Sequence, residues 1–158
     1  MPSQDLPASA RAIAAAITGT VAAARAADPV AFTDAAEPLT RLDPEPLRVV
    51  LGAVVRSVLE ERHPDGLDSD DLQEALGHCV RTAAWYPDLD VAVLVVVLTG
   101  AFGMHDSEAE PRRIGSVEVS LHAALLLADL LAGTPIALDR HVGSALVEVA
   151  RAETVEMP

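Results

Sequence analysis

The stretch "DVAVLVVVLTGAFG", residues 90–103, decides the fold class. Eight apolar side chains follow one another from Val91 to Leu98, most of them β-branched. Three structures bury such a run: a membrane span, a core strand, or a helix with no side facing water. A membrane helix needs about 18 or more apolar residues. Here the uncharged run ends at Met104, with Asp88 and Asp90 before it and His105 and Asp106 after it. That is too short to span a bilayer. A strand would suit the β-branched content, but it needs partners, and no second segment shows strand alternation or hairpin turn chemistry. A lone strand would leave its backbone donors and acceptors unpaired in a core. The flanks favour a helix. Pro87 suits a first turn, Asp88 and Asp90 suit the positive end of a helix dipole, and Gly100 and Gly103 suit the exit. The spacing predicts a helix over 87–101, apolar all round and therefore at the centre of the molecule.

Working outward, six further helical segments are predicted, at about 8–27, 29–37, 45–62, 68–85, 115–132 and 138–153. The expected fold is all-α, a single-domain bundle of six to seven helices over 1–158, with 1–7 and 154–158 frayed. In the first segment Ile13, Ile17 and Val21 form an apolar stripe, and Ala15, Gly19 and Ala23 form a track of small residues. "PLTRLDPEP", residues 38–46, reads as a proline-rich turn. The 45–62 segment buries Leu47, Val50, Leu51, Val54, Val58 and Leu59, and places Arg56 and Glu60 at pairing distance on its outer side. Asp68 or Ser69 caps the next segment, which turns Cys79 inward and His78 outward. Pro44, Pro87 and Pro135 open successive segments at spacings like those of helical repeats, but fewer than three clear units are present.

Composition narrows the partners. The formal charge is -13, and all eleven Lys+Arg positions are arginine. Such a chain repels polyanions, and nucleic-acid affinity rests on neutralised phosphates, so DNA, RNA and anionic membranes are not expected partners. The single cysteine, Cys79, excludes an intrachain disulfide and a multi-thiolate zinc site, and it suits a reducing cytoplasm. "ARAIAAAITGTVAAARA" lacks the charged start and strong apolar centre of a secretion leader. With four aromatic residues, the core must be made of Ala, Val and Leu.

No catalytic motif is present: there is no phosphate-binding glycine loop, no G-x-S-x-G and no H-E-x-x-H. "PDGLDSDDLQE" fails as a calcium loop, because with Gly66 at the sixth position Leu72 falls where a bidentate glutamate belongs. Glu118, His122 and Asp129 fall within about 40° of one another on a helical wheel. They form either a metal-ligand set or the solvent stripe of an amphipathic helix, and the leucines opposite favour the stripe. His105, Asp106 and Glu108 share the longest polar connector and complete a candidate divalent-metal region over 105–122. Trp85 and Tyr86 stand before Pro87, either as a binding anchor or as a clamp holding the preceding helix onto the valine-rich one. With Met104 they are the candidate ligand or interface residues. The leading expectation is a non-enzymatic, cytoplasmic interaction protein without cofactor, acting as a homodimer or on another protein. A divalent-metal protein and a small-molecule binder with an apolar pocket near Trp85 and Met104 are the alternatives.

Overall fold

Aspartates start four of the described helices. The computed structural model describes residues 6–104, 114–132 and 135–156. Asp28 accepts from Val30 N and Ala31 N and opens α1's successor, α2 (Pro29–Ala35); α1 itself is Ala8–Arg25. After a four-residue turn of helix, α3 (Glu37–Thr40), Asp43 accepts from Glu45 N and opens α4 (Pro44–Arg62). Asp68 and Asp71 form a reciprocal capping box at the start of α5 (Ser69–Thr82), with bonds of 2.9 and 3.1 Å. Asp90 accepts from Ala92 N and opens α6 (Val91–Ala101). The last two helices are α7 (Ser116–Leu130) and α8 (Pro135–Glu156). Each cap satisfies backbone N–H groups that have no partner inside the helix, and is worth about 1 kcal/mol.

The all-α bundle expected from sequence is what forms, and no strand occurs among the described residues. Several boundaries differ; the last helix starts at Pro135 rather than 138, and α5 ends at Thr82 rather than 85. The valine-rich helix begins at Val91, not at 87, because Asp90 takes the capping position and residues before it form a turn in which Leu89 N donates to Tyr86 O. It ends as expected at Ala101, and beyond it Gly103, with a φ of 68°, lets Gly103 N reach Gly100 O and Met104 N reach Thr99 O. The stretch read as a plain turn holds α3, because Pro38 sits in a helical first turn, where its missing N–H costs nothing. The last helix continues to Glu156, beyond the 153 expected.

The centre of the molecule is a correction. α6 is not wrapped on every side. Val93, Leu94, Val97, Leu98 and Ala101 face inward, but Val91 is 46% exposed and Val95 is 40% exposed. The enclosed helix is α7, in which every residue from Ser120 to Leu127 is buried. It packs against α1, α4, α5 and α6, while α8 closes the bundle over α4 and α1. The reason is chemical. α7 carries Leu and Ala between its polar groups, and Ser120, His122 and Asp129 find hydrogen-bond partners within the protein. Its C-terminal carbonyls are met by two guanidinium groups, Arg62 of α4 on Leu130 O at 2.8 Å and Arg25 of α1 on Leu131 O at 3.4 Å. The small-residue track of α1 turns outward, with Ala15 and Gly19 exposed, while Ile13, Ala16, Ile17, Thr20, Val21 and Ala24 are buried.

This placement has a measurable consequence. Leu126→Ala in α7 should cost about 2–5 kcal/mol in a urea melt, as the residue is fully buried. Val95→Ala in α6 should cost less than about 1 kcal/mol. Equal losses would return α6 to the centre.

Candidate functional site

The residues singled out by spacing along residues 116–130 meet different partners. His122 is completely buried. Its Nδ1–H donates to Glu118 O at 2.8 Å, and its Nε2 accepts from Asp90 N at 3.0 Å. Those bonds fix the tautomer and occupy both ring nitrogens, so no lone pair is left for a metal. Asp129, only 6% exposed at its side chain, lies 2.8 Å from His78 Nδ1. The helical stripe therefore neither faces solvent nor gathers into one ligand set. Among the described residues, no group of three or more His, Cys, Asp or Glu is arranged to hold a metal ion. His105, Asp106 and Glu108 lie outside the described residues.

Trp85 and Tyr86 act as a clamp, though on other elements than expected. Their rings meet Phe32 of α2 edge-on, at centroid distances of 5.4 and 5.1 Å, and Tyr86 stands 6.0 Å from the His122 ring. Three of the four aromatic side chains thus form one knot joining α2, the corner after α5, and α7. Burial pushes the Tyr86 hydroxyl above its ordinary pKa, with Asp88 and Glu118 adding to the effect. Met104 is 49% exposed, just past the end of α6.

Two polar assemblies remain. One is a small cleft between α4, α5 and α7, where His78 pairs with buried Asp129 and His63 lies 3.7 Å from Asp71. The other is a seam between α4 and α8. Ser57 lies 2.6 Å from His141 Nδ1, and His141 Nε2 lies 2.7 Å from Glu61. Arg140 donates to both oxygens of Glu61, at 2.6 and 2.8 Å. This hydrogen bond holds the Glu61 carboxyl below its usual pKa. Sequence reading missed the seam. The available signal was a histidine among the apolar residues Leu138, Val142 and Ala145, a position where an imidazole needs a partner.

The outer side of α6 presents apolar side chains to solvent. Val91, Ala92 and Val95 are exposed, and no charged residue occurs from 91 to 104. Ridge and groove run side by side there: Val91, Val95 and Thr99 make a row at spacing four, and Ala92, Val96 and Gly100 make the next. A Cβ added at Gly100 would meet nothing within 4 Å, so the groove is open to solvent at that point. Among the described residues, no helix is long and apolar enough to cross a membrane. No family model, curated protein or solved structure matches the chain.

Two outcomes test this account. His122→Ala should cost about 3 kcal/mol, since it opens a cavity and removes the imidazole acceptor of the Asp90 N–H. Cys79 is fully buried, and burial, with the Asp129 charge, pushes its thiol up to about 12. An aromatic disulfide reagent at pH 8 should leave it unmodified until the chain unfolds. The sign for stability follows. The folded thiol keeps its proton up to about 12, and the unfolded one releases it near 9.0, so stability falls as pH rises through that window.

Proposed function

We propose that the protein works by contact with a second copy of itself, the outer face of α6 docking on its twofold mate. The supporting observation is the exposure of Val91 and Val95 on the valine-rich helix. An apolar patch of this kind is costly in water and becomes favourable when covered. The occupant follows from charge and shape. Two copies, each with a formal charge of -13, repel one another over most of their surfaces. The 91–104 strip is uncharged, so it brings no like charges together. A charged partner would gain nothing from it. Its shape is self-complementary as well: the Val91–Val95–Thr99 ridge of one copy fits the Ala92–Val96–Gly100 groove of the other. Packing of i±4 ridges is the commonest way for helices to cross. A twofold contact uses the same patch on both sides, as this one does. The buried free thiol of Cys79 supports a cytoplasmic setting, where thiols stay reduced.

Light scattering after gel filtration should give twice the 16.5 kDa chain mass at micromolar concentration. Val95→Glu should leave helicity unchanged, because the position is already part exposed, and weaken association about 100-fold or more through two facing carboxylates. A wild-type mass of one chain, or a variant that associates as well as wild type, would overturn the reading.

A further inference from the structure

Beyond self-association, we propose that Ser57 is a base-activated nucleophile that takes an acyl group from an activated ester or thioester. Hydroxyls within the helices of this chain usually spend their proton on a backbone carbonyl four residues back. Thr20, Thr33, Thr99, Ser120 and Thr154 all do so, at 2.7–3.0 Å. Ser57 is directed instead to an imidazole 84 residues away, at 2.6 Å.

The rest of the chain of groups fits that role. His141 is 5% exposed, so its ring is held in place by packing as well as by bonding. Its Nε2–H donates to the Glu61 carboxylate at 2.7 Å, which leaves the Nδ1 lone pair facing the Ser57 hydroxyl. Arg140 grips both Glu61 oxygens and keeps the carboxylate ionised. A nucleophile, a base at hydrogen-bond reach and a group orienting the base make the minimum set for nucleophilic catalysis. Among the described residues, the half-buried His63 and the exposed His78 face carboxylates, Asp71 and Asp129, and not a hydroxyl. Ser57 is also only half-buried, at the rim where α4 meets α8, so a small acyl donor can approach from solvent.

The step balances without a further reactant. Ser57 Oγ attacks the acyl carbon and its proton passes to His141 Nδ1, giving an imidazolium paired with Glu61. The carbon–sulfur or carbon–oxygen bond of the donor then breaks. The proton goes from Nδ1 to the departing thiolate or aryloxide, leaving acyl-Ser57 and a free thiol or phenol. Water, deprotonated by the same imidazole, releases the carboxylic acid and restores Ser57. Ser57 lies inside α4, where the backbone N–H groups are engaged in the helix, so no amide pair is free to receive the developing oxyanion. That restricts the donor class to esters with good leaving groups, and excludes amides.

The test uses the full chain with p-nitrophenyl acetate and, separately, a fluorophosphonate, which phosphonylates serine and releases fluoride. Intact mass and peptide mapping locate the adduct. A single adduct on Ser57 is expected, with none in Ser57→Ala. His141→Gln keeps hydrogen-bonding groups toward Ser57 and Glu61 but supplies no base. It should slow labelling at least about 100-fold with unchanged helicity. Absence of an adduct on Ser57 in the wild type, or labelling of His141→Gln at the wild-type rate, would overturn the proposal. Val95→Glu should label like wild type, which separates this result from the fate of the α6 contact.

Discussion

His122 is the residue on which the arrangement of helices depends. One ring nitrogen is bonded within its own helix, to Glu118 O, and the other receives the N–H of Asp90, the residue that caps α6. A single side chain thus fixes the entry point of the valine-rich helix and removes the obstacle that its own imidazole poses to enclosing α7. An imidazole in a core without partners would cost several kcal/mol, and one with both partners costs little. With that obstacle gone, the leucines of α7 can be surrounded by α1, α4, α5 and α6.

Local signals in the sequence located the helices well. Pro29, Pro44, and Asp68 ahead of Ser69 mark starts that depend only on neighbouring backbone. Gly103 marks a stop for the same reason. Arg56 and Glu60 pair at 2.8 Å on the exposed side of α4, as their spacing requires. The order of enclosure was not legible in this way. Mean hydropathy singles out residues 91–101, yet enclosure is decided by what lies on each side, and polar residues at helical spacing look like a solvent face until their partners are known. Those partners are remote: Asp90 lies 32 residues from His122, and His78 lies 51 from Asp129.

The candidate sites follow the same division. The readings of Trp85 and Tyr86 as clamp or anchor were equally open from composition, because the deciding ring, Phe32, sits in a short helix far away in the chain. The sequence marks His141 as a histidine in need of a partner but does not name Ser57, since neither residue belongs to a motif and only the packing of α8 on α4 brings them together. What could be read from one helix was read correctly in the case of Cys79, whose inward direction follows from its place in the α5 pattern.

The guanidinium groups of Arg25 and Arg62 close on the same end of α7 from two different helices. They join the first, fourth and seventh helices at one pole of the bundle, where the exit of α7 would otherwise begin to fray. Backbone amides in the middle of α7 therefore have no low-energy local opening by which to reach solvent. Their deuterium uptake should follow unfolding of the whole molecule, while α6, bare along one side, should exchange through smaller fluctuations. The protein is in this sense organised in shells of protection, and its most apolar helix belongs to the outer one.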